Sequence, residues 1–204
     1  MWKDLSREWQ TAFEEAWLAF GSGSIPIGAA IFDENGVLLV REHNRSNEPE
    51  TLNKNISHAE ANAIRRIDTS ACNVREVTLY TTMEPCPMCM GTAVMSNIKR
   101  LRYAARDPYC GCVHIKDTEP YISGKGLDYT TAGGEPELVQ LTIQSYHELR
   151  CIERGCGDGV LRQFAELSPR AVDIARELYA DRRLDSYAAQ GRPFADVYDE
   201  ILAI

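Results

Sequence analysis

His58-Ala59-Glu60 and Pro85-Cys86-Pro87-Met88-Cys89 are the stretches from which the rest of the chain is read. Together they hold one imidazole and two thiols, all zinc-binding groups, and one carboxylate beside them. Zinc favours imidazole nitrogen and thiolate sulfur. A catalytic site keeps three protein ligands and a fourth position for water, whereas a structural site closes with a fourth ligand. His58, Cys86 and Cys89 meet the count of three, for one zinc per chain. No further Cys or His stands next to either motif, although Cys110, Cys112 and His114 lie farther along. Glu60 stands two positions past the histidine. On a helix it turns away from the metal direction and can face a substrate as a proton carrier.

Working outward, Ser57 to Ile67 reads as a helix, with Ser57 as cap, Glu60 as capping-box partner and Ala61, Ile64 and Ile67 as its apolar stripe. Glu76 to Thr82 is a strand by its β-branched and aromatic content, and a second helix runs from Cys86 to Asn97 after Pro85. Each half of the site then lies at a helix N-terminus, where the macrodipole and free N–H groups favour thiolate. Lys99 to Ala104 reads as a strand, and the strand–helix–strand order predicts a parallel pairing. Upstream, apolar residues recur at helical spacing from Leu5 to Phe20. Ile25 to Phe32 is a core strand, Asp33 to Gly36 a hairpin turn and Val37 to Val40 the return, while Arg41 to Ser57 is a polar loop carrying His43 and Asn44. Downstream, Arg106 to Pro136 is long loop with a short helix, Leu138 to Ile143 a last strand and Tyr146 to Glu153 a helix. Helical patterning returns over Val160–Ala165, Pro169–Ala180 and Phe194–Ile201.

The length of 204 residues suits one domain with an appended segment. A formal net charge of −8 argues against a protein that holds nucleic acid mainly through its phosphates. The back of the chain is the more acidic part, with nine Asp or Glu against six Arg and no Lys between Asp158 and Ile204. Lys99, Arg100 and Arg102 read as a solvated strand edge rather than a nucleic-acid track. Seven cysteines are an odd set, and two belong to the zinc motif. With a charged start and no apolar run of membrane length, the chain is read as cytoplasmic and without a disulfide framework.

The order H-x-E followed by P-C-x-x-C is the signature of zinc deaminases. Pro26-Ile27-Gly28-Ala29, His43-Asn44-Arg45, Thr78-Leu79-Tyr80-Thr81-Thr82, Glu84-Pro85-Cys86-Pro87-Met88-Cys89-Met90-Gly91 and Ala105-Arg106-Asp107 stand around it. The series resembles the cytidine deaminase superfamily, the CMP/dCMP-type zinc deaminases, over about Leu5 to Tyr109. The likeness is to the branch holding tRNA adenosine deaminases, bacterial guanine deaminases and fungal-type cytosine deaminases. It implies an α/β fold, a three-layer α/β/α sandwich around a mixed five-stranded sheet, and a homodimer or larger assembly. Carried over, His58, Cys86 and Cys89 are zinc ligands, Glu60 the proton shuttle, and Asn44, Ala59 and Pro85 substrate contacts.

The implied activity is hydrolytic deamination of a free nucleobase or nucleoside, a purine slightly ahead of cytosine. The alternatives are a tRNA-specific adenosine deaminase and, in another class, a non-catalytic zinc-stabilised binding subunit, which would have no use for Glu60. Residues 1–157 are expected to form the deaminase domain and 158–204 a helical extension packed on it or on a neighbouring subunit. The stretch after Tyr109 matches no pattern of that family. It offers Tyr109, Tyr121, Tyr129, Tyr146, Phe164, Tyr179, Tyr187, Phe194 and Tyr198 as core, subunit contacts or pocket walls. Cys110-Gly111-Cys112 with His114 is a weak pattern for a second metal or redox site.

Overall fold

The computed structural model describes residues 1–204. Helix α1 (Arg7–Gly21) buries Phe13, Ala16 and Phe20 and leaves Glu14 and Leu18 in solvent, as an amphipathic stripe requires. Strand β1 (Gly28–Phe32) is buried along its whole length, and β2 (Leu38–His43) pairs with it antiparallel. A Cβ at Gly28 would stand 2.0 Å from the Ala12 carbonyl oxygen, so only glycine lets α1 lie this close to the sheet. Helix α2 (Ala59–Arg66), strand β3 (Thr78–Met83), helix α3 (Pro87–Met95) and strand β4 (Arg100–Ala105) follow. Two short helices, α4 (Ile115–Thr118) and α5 (Pro120–Ser123), lead to β5 (Asp128–Thr131).

The sheet has five strands in the order β2-β1-β3-β4-β5. β1 is antiparallel to β2 and β3, while β3–β4 and β4–β5 are parallel, so the sheet is mixed as expected. Alternation along the strands divides the core. Leu79, Leu101 and Tyr103 join Ala63 of α2 and Met90 and Val94 of α3 on one face. On the other, Tyr80 meets Trp9 of α1 edge to face at 5.2 Å, and Ala104 packs with Phe13 and Phe20.

That second face also carries α6 (Gly134–Glu153), with α7 (Gly159–Leu167), α8 (Pro169–Ala180), α9 (Arg183–Ala189) and α10 (Phe194–Ala203) outside or beside it. Val139, Ile143 and Tyr146 of α6 share a cluster with Ile174, Ala175 and Leu178 of α8 and with Val197 and Tyr198 of α10. Polar ties fasten the same elements. Tyr146 donates to Asp185 at 2.7 Å, and the Trp17 indole donates to the Arg192 carbonyl at 2.9 Å.

Several expectations are corrected. Leu138 to Ile143 is not a strand but part of α6. Val139 to His147 are all buried, because α6 has the sheet on one side and α8 on the other, and a helix covered all round lacks the polar face that marks a helix in sequence. The last strand is β5, inside the stretch read as loop; only its Tyr129 is buried, donating to the Ile98 carbonyl at 2.8 Å. β2 continues through Arg41 to His43, whose charged side chains suit an edge strand. α2 is capped by His58 instead of Ser57, without a capping-box bond, since Glu60 is directed to the cavity described below. Arg100 and Arg102 are paired with Glu76 and Asp128. All seven cysteines are free, and no helix is long and apolar enough to cross a membrane.

Candidate active site

His58 is the N-cap of α2, and Cys86 the N-cap of α3 with Pro87 at the first helical position, where its missing N–H costs nothing. Cys89 follows one turn on. The two sulfurs lie 3.5 and 3.6 Å from His58 Nδ1, and the three ligand atoms fall within 4.8 Å of one another. Zinc–sulfur and zinc–nitrogen bonds of about 2.3 and 2.0–2.1 Å, opened to the tetrahedral angle, place sulfur and nitrogen about 3.6 Å apart. Both sulfur–nitrogen distances therefore suit a zinc ion, and no other group of three such ligands exists in the chain. Cys86 is pulled down to about 4 by hydrogen bonds from Cys89 and His58, against the cost of burial. Cys89 is held above its ordinary value by its hydrogen bond with Cys86 and by burial.

Glu60 is 4% exposed, and burial pushes its carboxyl up to about 7. It lines a cavity of about 220 Å³ together with His58, Cys86 and Asn44. Asn44 is fully buried. Its Oδ1 accepts from the Ser46 N–H at 2.9 Å, which leaves Nδ2 with no partner in the protein. Ala59 and Pro85 flank the ligands in sequence but do not line the cavity; Ala59 is core, and the Pro85 carbonyl accepts from Cys112 N–H at 2.9 Å.

The opposite wall comes from elements remote in sequence, Gln144 and Glu148 of α6 and Val160 and Phe164 of α7. The Gln140 amide donates to the Pro26 carbonyl at 2.9 Å and ties α6 to the segment that supplies Ile25 and Ile27 to the same cavity. Tyr109 and Phe164 are the only two of the nine aromatics after β4 that reach it. Gln144, Glu148 and Val160 were not legible in the sequence, where a Gln and a Glu one helical turn apart look like any solvent-facing pair.

The Cys110-Gly111-Cys112 stretch is a turn, not a second metal site. A Cβ at Gly111 would sit 2.5 Å from the Asp107 carbonyl and 2.6 Å from the Glu84 carboxyl carbon. Cys110 lines the cavity, Cys112 joins the core and His114 is exposed, so the three never converge. His43 is not a cavity residue. Its ring nitrogens each lie 2.7 Å from a carboxylate oxygen, of Glu15 on α1 and of Glu48 in the loop. Burial opposes its charge, but those two hydrogen bonds outweigh that and hold its pKa above the usual histidine value.

Comparison with known proteins agrees with this geometry. The family model described as the cytidine and deoxycytidylate deaminase zinc-binding region matches residues 3–105. A tRNA-specific adenosine deaminase of Bacillus subtilis is 38% identical over 107 residues, which are 50% of this chain and 62% of that protein. One of Agrobacterium fabrum is 36% identical over 145 residues, 69% of this chain and 93% of the relative. A solved structure from work on A-to-I editing by tRNA:A34 deaminases superimposes with a TM-score of 0.53 at 28% identity, over 61% of this chain and 96% of that one. On the family match and the longer of these alignments, the chain belongs to the cytidine and deoxycytidylate deaminase zinc-binding family.

Proposed function

We propose that the protein hydrolytically deaminates a small amino heterocycle, a free nucleobase or nucleoside, and releases ammonia. The observation that carries this reading is the wall from α6 and α7. With Glu60, His58 and Cys86 it bounds a cavity of about 220 Å³, below the about 300–1,000 Å³ typical of clefts for drug-sized ligands. His58, Cys86 and Cys89 hold one zinc per chain. When bound, that ion supplies Lewis acidity and a water that ionises near neutral pH. Glu60 accepts one proton of the attacking water and passes it to the ring nitrogen as oxygen adds to the amino-bearing carbon, then takes the remaining proton of that oxygen and delivers it to the amine as the C–N bond breaks and the carbonyl forms. Its carboxyl, near 7, is suited to both directions of transfer. The free Asn44 Nδ2 donates to an acceptor on the substrate.

In this reading residues 1–157 are the deaminase domain and 158–204 an extension whose first helix, α7, completes the wall begun by α6, with α8 packed on both helices. An exposed pair, Met95 and Tyr121, supports a homodimer or larger assembly through the α3–α5 side.

Ammonia release from a panel of free bases, nucleosides, nucleotides and tRNA tests the proposal. Turnover of a base or nucleoside supports it, and release from tRNA alone sinks it. A tRNA-specific adenosine deaminase is the second reading, favoured by the names of relatives 36–38% identical to this chain.

A further inference from the structure

We infer that Glu148 is a specificity-determining residue, which selects a base with a free ring N–H over the same base carrying a substituent on that nitrogen. The inference rests on the small-heterocycle reading above. Four carboxylates line the cavity, those of Glu60, Glu84, Asp107 and Glu148. Glu60 is assigned to the reaction. Glu84 is saturated by the chain itself, Oε2 accepting from Asp107 N–H at 3.2 Å and Oε1 from Val113 N–H at 3.1 Å. Asp107 is likewise engaged, by the N–H groups of Tyr109 and Cys110 at 2.9 and 3.2 Å and by the Cys110 thiol at 3.1 Å.

Glu148 differs. Its one partner in the chain is the Gln144 amide, which donates to Oε1 at 3.0 Å, and no Lys or Arg neutralises it. The same bond turns Gln144 Oε1 away, and that oxygen is buried without a partner. Glu148 thus brings to the cavity lining a carboxylate oxygen, Oε2, that has no hydrogen-bond partner in the chain. An unpaired acceptor in such a place needs a donor from the ligand. Beside it Val160 and Phe164 offer apolar surface, which suits the face of a flat ring and not the hydroxyls of a sugar. The group that meets both demands is a ring N–H, which glycosylation or alkylation removes. Gln144 is a positioning residue, since its amide aims the Glu148 carboxylate.

The experiment measures kcat and KM of the zinc-loaded enzyme for three matched sets: guanine, 9-methylguanine and guanosine; adenine, 9-methyladenine and adenosine; cytosine, 1-methylcytosine and cytidine. Wild type is compared with Glu148→Gln and Glu148→Met, with zinc content and melting temperature as controls on folding. In the best set wild type should prefer the free base over its methyl derivative by ~10–100-fold, the range for one hydrogen bond to a charged group. Glu148→Met should raise KM for the free base by a similar factor with little change in kcat and leave the methyl derivative unaffected, so the preference collapses. Glu148→Gln keeps an acceptor oxygen and should fall between. Unchanged preference in both variants, or a wild type that favours the substituted bases, overturns the inference while base deamination stands. A wild type active on none of the nine compounds but active on tRNA overturns both.

Discussion

The two walls of the cavity are built by opposite means. One is formed by His58, Glu60 and Cys86, polar side chains gathered at two helix N-termini, with the ionisation of Glu60 and Cys86 moved far from ordinary values. The other is formed by Gln144, Glu148, Val160 and Phe164, common residues that matter only because α6 and α7 are packed where they are. In the proposed function the first wall acts on an amino-bearing carbon beside a ring nitrogen, and the second decides which ring arrives there. On that proposal chemistry and choice of substrate are carried by separate parts of the chain, and mutations should separate them too.

The largest effect is expected at the ligands. Cys86→Ala should lose its zinc and with it all turnover above background, as elemental analysis beside an ammonia assay will show; full occupancy in that variant would mean that the ligand set is wrong. Next comes Glu60→Gln, which should lower kcat by ~10²–10⁴-fold, the usual worth of a general acid–base group, while zinc and melting temperature stay near wild type. Phe164→Ala acts on the opposite wall. Burying a phenyl ring to 1% exposure makes its loss cost about 3–5 kcal/mol in urea unfolding, with zinc retained and KM raised. If kcat per zinc in Phe164→Ala fell as far as in Glu60→Gln, the division between the walls would fail.

The smallest effect is expected outside both walls. His43, next to Asn44, ties α1 to the loop through Glu15 and Glu48, with Arg45 close by. Its folded pKa is raised above the unfolded value of about 6.5. It therefore contributes stability fully below about pH 6.5, and this is lost as pH rises through the folded pKa. Denaturant midpoints followed from pH 6 to 9 should decline in wild type and stay flatter in His43→Gln. Parallel curves would remove His43 from the account.

What could be read from the sequence follows the same division. The convergence of His58, Cys86 and Cys89 and the β3–α3–β4 crossover were legible because they rest on local spacing and on rare residue types. α6 was not, since a helix covered on both sides has no polar face, and its run Leu138–Ile143 looks like a buried strand. β5 was missed for the opposite reason, as four residues with one buried side chain carry almost no pattern. Glu148 and Gln144 had no signal at all, because only the fold shows that they face a cavity. Phe164 was among the candidate wall aromatics, but nothing in its neighbours distinguished it from Tyr146, which is core.

The central claim is that the α6–α7 wall admits a small ring and excludes a polynucleotide. The most direct test is competition, measuring deamination of the preferred free base with and without excess unmodified tRNA at low and high salt, then analysing the tRNA for inosine. The account predicts unchanged base turnover at both salt concentrations and no inosine. Inhibition by tRNA that weakens steeply with added salt, together with inosine in the recovered tRNA, would contradict it.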